Sequence, residues 1–183
     1  MEWLLLLIGA APLGWGIWIY NRLVARRNRV ATAWSDIDVQ LTRRHDLVPN
    51  LVRVVQRYTD HERRTLERVT RLRSQALETQ SPARLGEIEA DLEQQLSRLL
   101  ILKEEYPDLR ASENFHQLSG QLVEVEEQLQ YARRYYNGAV RDFNTLIEQF
   151  PDLLIARLFR FRPAEFYSAE AGHRVVPAMG LTQ

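Results

Sequence analysis

Residues 20–58 read YNRLVARRNRVATAWSDIDVQLTRRHDLVPNLVRVVQRY, and the fold follows from where their apolar residues fall. Leu23, Val30, Ile37, Arg44, Leu51 and Tyr58 are seven apart, as are Trp34, Leu41, Val48 and Val55. Two interleaved seven-residue series lay one apolar stripe down a long helix, the pattern of a bundle seam. The stretch starts where an uncharged segment stops, so the spacing predicts a helix that enters a bundle without a linker.

That uncharged segment is Trp3–Tyr20, WLLLLIGAAPLGWGIWIY, 18 residues long. As a helix it reaches about 27 Å, close to the roughly 30 Å hydrocarbon layer of a bilayer. Trp3 lies at one end, and Trp15, Trp18 and Tyr20 lie towards the other, where amphipathic rings favour the interface. Gly9, Pro12, Gly14 and Gly16 suit a membrane helix better than a soluble one. A cleaved signal peptide is the rival reading. It lacks support, because only Glu2 stands where a positive region belongs and no small-x-small cleavage site follows. Residues 1–21 are therefore read as a transmembrane anchor. Arg22, Arg26, Arg27 and Arg29 flank it on the far side, and basic flanks stay cytoplasmic. The expected topology is single-pass in the inner membrane, N-terminus out and bundle in the cytoplasm, with a periplasmic bundle as the alternative.

Downstream the expected fold is all-α: an antiparallel up-and-down bundle of three to four long helices over residues 22–150. Pro49 sits inside the first helix and removes a hydrogen bond there. Either the helix kinks and continues, or Asp46 caps a second helix with Pro49 in its first turn. The seven-residue series crosses Pro49 in phase, which favours the kink. Further breaks are expected near 79–82, with Ser81 as cap and Pro82 in the first turn, and near 106–112, before Pro107. The helix between them should bury Leu85, Ile88, Leu92, Leu96, Leu99 and Leu102. Ser112 opens the last helix, where Phe115, Leu122, Leu129, Tyr136, Phe143 and Phe150 interleave with Leu118, Val125, Ala132, Ala139 and Leu146. Its small residues Ala132, Gly138 and Ala139 are where Trp34 would fit. Residues 151–167 are short, basic and aromatic, and either cap the bundle or lie in a membrane interface. Residues 168–183 read as a loosely ordered tail.

Formal charge is zero over 183 residues, which argues against a nucleic-acid binder. Residues 22–73 nevertheless carry a net +7 and residues 74–132 a net −8. Opposed helices facing one another account for this within one chain. A second copy could use the same complementarity, and Gly9, Gly14 and Gly16 would let membrane helices approach, so a homo-oligomer is expected. There is no cysteine, hence no disulfide and no thiolate metal site.

The chemistry-bearing residues do not converge on catalysis. His45-Asp46 and His61-Glu62 are helix neighbours pointing about 100° apart, and the four histidines have no metal spacing. No phosphate loop or nucleophile elbow is present. No enzyme and no cofactor are expected. Arg44 on the seam, and Arg133, Asn137 and Asn144 beside it, require partners if buried, with Asp36, Asp38 or Asp46 as candidate acids. They form either a register-fixing polar network or a groove for a peptide or lipid headgroup, with Arg43, His45 and Asn50 at its rim.

The motifs YNRLV, AWSDIDVQLTRRHDLVPNLV, YPDLRASENF, ARRYYNGAVRDFNT and FP, in this order, resemble the bacterial LemA family over about residues 20–166. The resemblance implies a single N-terminal membrane helix followed by an antiparallel helical bundle. It implies no enzymatic activity, cofactor or catalytic residue. The chain departs from the family at Arg160, where a glycine is more usual within Phe-Gly-Phe, and this puts the tail's conformation in question. Two functions follow as expectations. One is a self-associating scaffold or adaptor that binds envelope proteins. The other is a lipid-binding or membrane-remodelling protein using its basic first helix and Arg/Phe-rich tail. A transmembrane sensor is a weaker third.

Overall fold

Seven-residue spacing becomes helix throughout. The computed structural model describes residues 2–59 and 61–167, with side chains described from residue 13 onward. These residues hold α1 (Glu2–Gln56), α2 (Arg63–Glu78), α3 (Pro82–Ile101), α4 (Pro107–Arg110), α5 (Glu113–Glu148) and α6 (Asp152–Leu158), and no strand. The expected loose tail, 168–183, lies outside the described residues, as do the side chains of residues 3–12 in the expected anchor. Among the described residues no helix is long and apolar enough to cross a membrane.

The described residues fold as two compact units, one of residues up to 47 with 120–166, the other of residues 48–119 with Tyr167. In the first, α1 and α5 run antiparallel. Arg26 meets Asp142 at 3.1 Å, the Trp34 and Tyr136 rings lie 5.3 Å apart, and Arg44 pairs with Glu126. Numbers climb on one helix as they fall on the other. Ile19, Leu23, Val30, Ala33, Ile37 and Leu41 are buried on α1, as are Val125, Leu129, Tyr136, Ala139, Val140, Phe143 and Ile147 on α5. Each large side chain so removed from water contributes about 1.5–3 kcal/mol.

The expected rows on α5 hold only in part. In the second row Leu146 is half-buried while Arg133, Val140 and Ile147 take buried places, and Phe150, the end of the first row, lies past the helix and is 78% exposed. A straight helix drifts by about 20° per heptad against a strict seven-residue repeat, so over 36 residues the buried face moves to the next position. Trp34 is corrected for the same reason. Ala33 takes the buried place and Trp34 sits half-buried at the edge against Tyr136. Nothing lies within 4 Å of a β-carbon at Gly138.

In the second unit α2 packs on α3 with an Arg68–Asp91 ion pair of 3.3 Å. Val48, Leu51, Val55, Leu66, Val69, Leu72, Leu85, Leu92, Leu96, Leu99, Leu109 and Phe115 are buried. Ser81 caps α3, accepting from the Arg84 N–H at 3.4 Å with Pro82 in the first turn, as expected. Tyr106 is extended before Pro107, and Ser112 Oγ accepts from the Phe115 N–H at 3.4 Å to open α5. Ile88 and Leu102 are half-buried rather than buried, while Glu89 and Gln95 are buried instead.

Of the two readings of Pro49 the continuous helix, which the in-phase series favoured, is the one found: α1 runs through 46–50 to Gln56. Pro49 is exposed, so its ring faces solvent while Val48 and Leu51 stay in the core. Unbroken helix keeps both apolar rows buried, which offsets the one lost hydrogen bond. The real break comes later, where the Thr59 N–H and hydroxyl both turn back onto the Val55 carbonyl at 3.1 and 3.0 Å.

Candidate functional site

The first unit carries its polar chemistry on the α1–α5 face and at the α6 end. Arg44 falls on the buried row because its position is seven from Ile37 and from Leu51, and it is 1% exposed. A guanidinium there is tolerable only beside a carboxylate. That carboxylate is Glu126 of α5, which pairs with Arg44 and lies 3.7 Å from Arg133 Nη1 through its other oxygen. Arg133 is itself 8% exposed, so two guanidiniums converge on one carboxylate.

This corrects the expected acids. Asp36, Asp38 and Asp46 are all exposed on α1. Side chains of one helix at those offsets point away from Arg44, whereas Glu126 faces it from the antiparallel neighbour. Glu126 was legible as the residue seven before Arg133. His45 is buried and Asn137 half-buried in the same unit. Asn50 is exposed and belongs to the other unit.

Two open grooves flank the charged strip. One, of about 380 Å³, is lined by Asp36, Val39, Gln40, Gln128, Tyr131, Ala132 and Tyr135. Val39, Tyr131 and Tyr135 are more than half exposed there, and the Arg134 guanidinium lies over the Tyr131 ring at 4.7 Å. The other, of about 310 Å³, is lined by Arg43, Asp46, Leu47, Gln121, Glu124 and Val125. Of the residues expected at a groove's rim, Arg43 lines this one and His45 lies in the core. Among the described residues no group of three or more His, Cys, Asp or Glu could hold a metal.

Asn144 does something else entirely. Its side-chain amide holds the tail, donating to the Ala164 carbonyl at 3.0 Å and accepting the Ala164 N–H at 2.8 Å. Next to it the Tyr136 hydroxyl donates to the Glu165 carbonyl at 2.8 Å. Burial, and then the nearby Glu165 charge, raise the Tyr136 pKa above its usual 10.0. Residues 164 and 165 are therefore strapped along α5.

The arginines after the apolar segment are largely engaged. Arg22 Nη2 donates to the buried Asp152 at 2.6 Å, and the Arg22 Cζ lies 4.8 Å from the Trp18 ring centroid. Arg26 pairs with Asp142, Arg27 lies 5.4 Å over Phe161, and Arg29 is exposed. Phe161 also meets Phe143 and Tyr20 at 6.3 and 5.9 Å, so the turn after α6 packs on this end of the α1–α5 pair. Sequence reasoning missed Asp152 as the acid that fixes it. The turn after α6 depends on Arg160, whose φ is 56°. The Phe161 N–H reaches the Ala156 carbonyl at 2.9 Å and the Arg160 N–H reaches Arg157 at 3.2 Å, the paired bonds of a left-handed helix ending. The residue that departs from the family's glycine thus stands where glycine costs least.

Magnetosome proteins MamQ 2 and MamQ 1 of Paramagnetospirillum magneticum are each 22% identical over 174 residues, covering 81% of this chain and 64% of theirs. Protein LemA of Metamycoplasma hominis is 26% identical over 155 residues, covering 82% of this chain and 69% of its own. The chain thus spans less than two thirds of the magnetosome relatives' length. The LemA family model matches residues 33–180, well over half of the sequence, and the chain belongs to the LemA family.

Proposed function

We propose that this protein is a membrane-anchored helical scaffold that associates with itself and with envelope proteins, and carries no catalytic centre. The observation that carries this reading is α1 itself. One uninterrupted helix joins an apolar, tryptophan-bearing end to a packed helical pair that leaves Val39, Tyr131 and Tyr135 exposed in an open groove. Exposed tyrosines around a shallow groove suit protein contacts better than a small substrate, which needs a deeper, enclosed site. Residues 1–21 serve as the single-pass anchor in the inner membrane, N-terminus out, with the helical units cytoplasmic. The chain as a whole resembles proteins named for the magnetosome and a mycoplasma LemA, which supports a binding module over one fixed reaction.

The experiment is crosslinking in intact cells from a photoreactive residue at Tyr131, with Arg64, an exposed residue of α2, as control. Adducts with a second copy and with discrete envelope proteins at Tyr131 alone are expected. Equal labelling from both positions, or none from Tyr131, removes the scaffold reading. Lipid binding or remodelling is the second reading. The exposed Leu154, Leu158 and Phe159 beside Arg157 favour it.

A further inference from the structure

We infer that α6 and the turn after it form a second membrane contact, lying in the boundary between headgroups and acyl chains beside the apolar end of α1. The inference rests on the anchored reading of α1 and adds a surface to it.

Three contacts fix the depth of α6. A β-carbon at Gly16 would lie 3.8 Å from Ile155 Cδ1, the Tyr20 and Phe159 rings are 4.7 Å apart, and Arg22 holds Asp152 at 2.6 Å. All three fall on α1 between Gly16 and Arg22, a rise of about 9 Å. Whatever surrounds α1 at that level therefore surrounds α6. On α1 the level is marked by Trp15, Trp18 and Tyr20, rings that favour the membrane–water interface.

The outward surface of α6 matches that environment. Leu154, Leu158 and Phe159 are 57%, 70% and 54% exposed, beside Leu13, Trp15, Ile17 and Trp18, each at least half exposed. So many large apolar side chains at one end of a unit make a patch that water covers poorly. The charges agree. Arg157, Arg160 and Arg162 are exposed, and the one acid between residues 152 and 162, Asp152, is buried against Arg22. An apolar face rimmed by arginine, with its carboxylate neutralised, suits anionic lipid. An acidic protein partner would have to displace the lipid around Trp15 and Trp18 to reach it.

The chain contains no cysteine, so an introduced thiol is unique. Ile17→Cys, Leu158→Cys and Arg64→Cys, each carrying an environment-sensitive fluorophore, are reconstituted as full chains into phosphatidylethanolamine–phosphatidylglycerol vesicles with brominated acyl chains. Loss of emission at positions 17 and 158, with none at 64, is the expected result. Quenching at 17 with full emission at 158 overturns the inference and leaves the anchor standing. Full emission at both overturns the anchored reading and this inference with it. Leu154→Cys repeats the measurement one turn earlier, so that local fraying at position 158 cannot decide the outcome.

Discussion

Replacing Arg160 with glycine should stabilise the α6 end. Arg160 is the one non-glycine residue with positive φ among the described residues, at 56°. For a residue with a β-carbon that conformation costs roughly 1–2 kcal/mol. Glycine removes the clash but gives the unfolded chain more freedom, worth about 0.5–1 kcal/mol in the opposite direction. The side chain is exposed, so little packing is lost. The net expectation is a gain of about 0.5–1 kcal/mol. α6 is short and could open before the rest of its unit, so native-state hydrogen exchange at the Arg160 and Phe161 amides is the direct assay, with urea denaturation alongside. Both amides donate into the helix ending, to Arg157 and Ala156. Arg160→Ala keeps the β-carbon and should gain nothing. If Arg160→Gly exchanges as fast as the wild type or as Arg160→Ala, the left-handed turn is not what limits this segment, and the argument fails.

Other perturbations separate charge, packing and placement. Glu126→Ala leaves two guanidiniums without their shared carboxylate and should cost about 3–5 kcal/mol, whereas Arg44→Met leaves Glu126 with Arg133 and should be nearly neutral; equal losses in urea denaturation would contradict the pairing. Tyr136→Phe should cost about 1 kcal/mol through the lost bond to Glu165. Because the folded Tyr136 pKa is raised, wild-type stability from this group is complete below the unfolded value of 10.0 and is lost as pH rises through the folded value. The variant should lack that alkaline step in a pH series of melting curves. Trp34→Ala should cost about 2 kcal/mol, since half-burial and one aromatic pair are at stake rather than a full core site; denaturation giving 4 kcal/mol or more would mean the indole is deeper than its exposure implies. A thiol at exposed Ser74 should resist an impermeant reagent in intact cells and react once they are opened, as a cytoplasmic position requires.

The helices were readable because their periodicity is a property of single segments. Leu23, Ile37, Leu51, Phe115, Leu129 and Phe143 are spaced correctly whatever they pack against, and all are buried. Local caps at Ser81 and Ser112 were readable for the same reason. What escaped depends on two segments at once. Glu126 acquires its meaning from Arg44 on an antiparallel neighbour, and Asp152 from Arg22, across 130 residues of sequence. The break after Gln56 carried no clear local sign: Glu62, the N-cap of α2, makes no side-chain cap bond, and the Thr59 hydroxyl turns back onto α1. Pro49 is the more conspicuous residue, yet the series crossing it in phase favoured the continuous helix that α1 forms. Tyr58 failed as a seam position because the chain had already turned, leaving it 39% exposed.

The continuity of α1 ties direction to sequence in a way a jointed chain would not. From Tyr20 to Leu47 the helix climbs about 40 Å, turning 100° with every residue. With Tyr20 held against Phe159 and Arg44 against Glu126, both ends of that stretch are clamped in azimuth. Inserting one alanine between them could not be taken up by slack. Either the apolar stripe would be wound off α5, or the helix would have to bulge. The groove at Val39 and Tyr131 therefore keeps a constant compass bearing relative to Trp15 and Trp18. A neighbour that meets the chain at those tryptophans always finds the tyrosines on the same side.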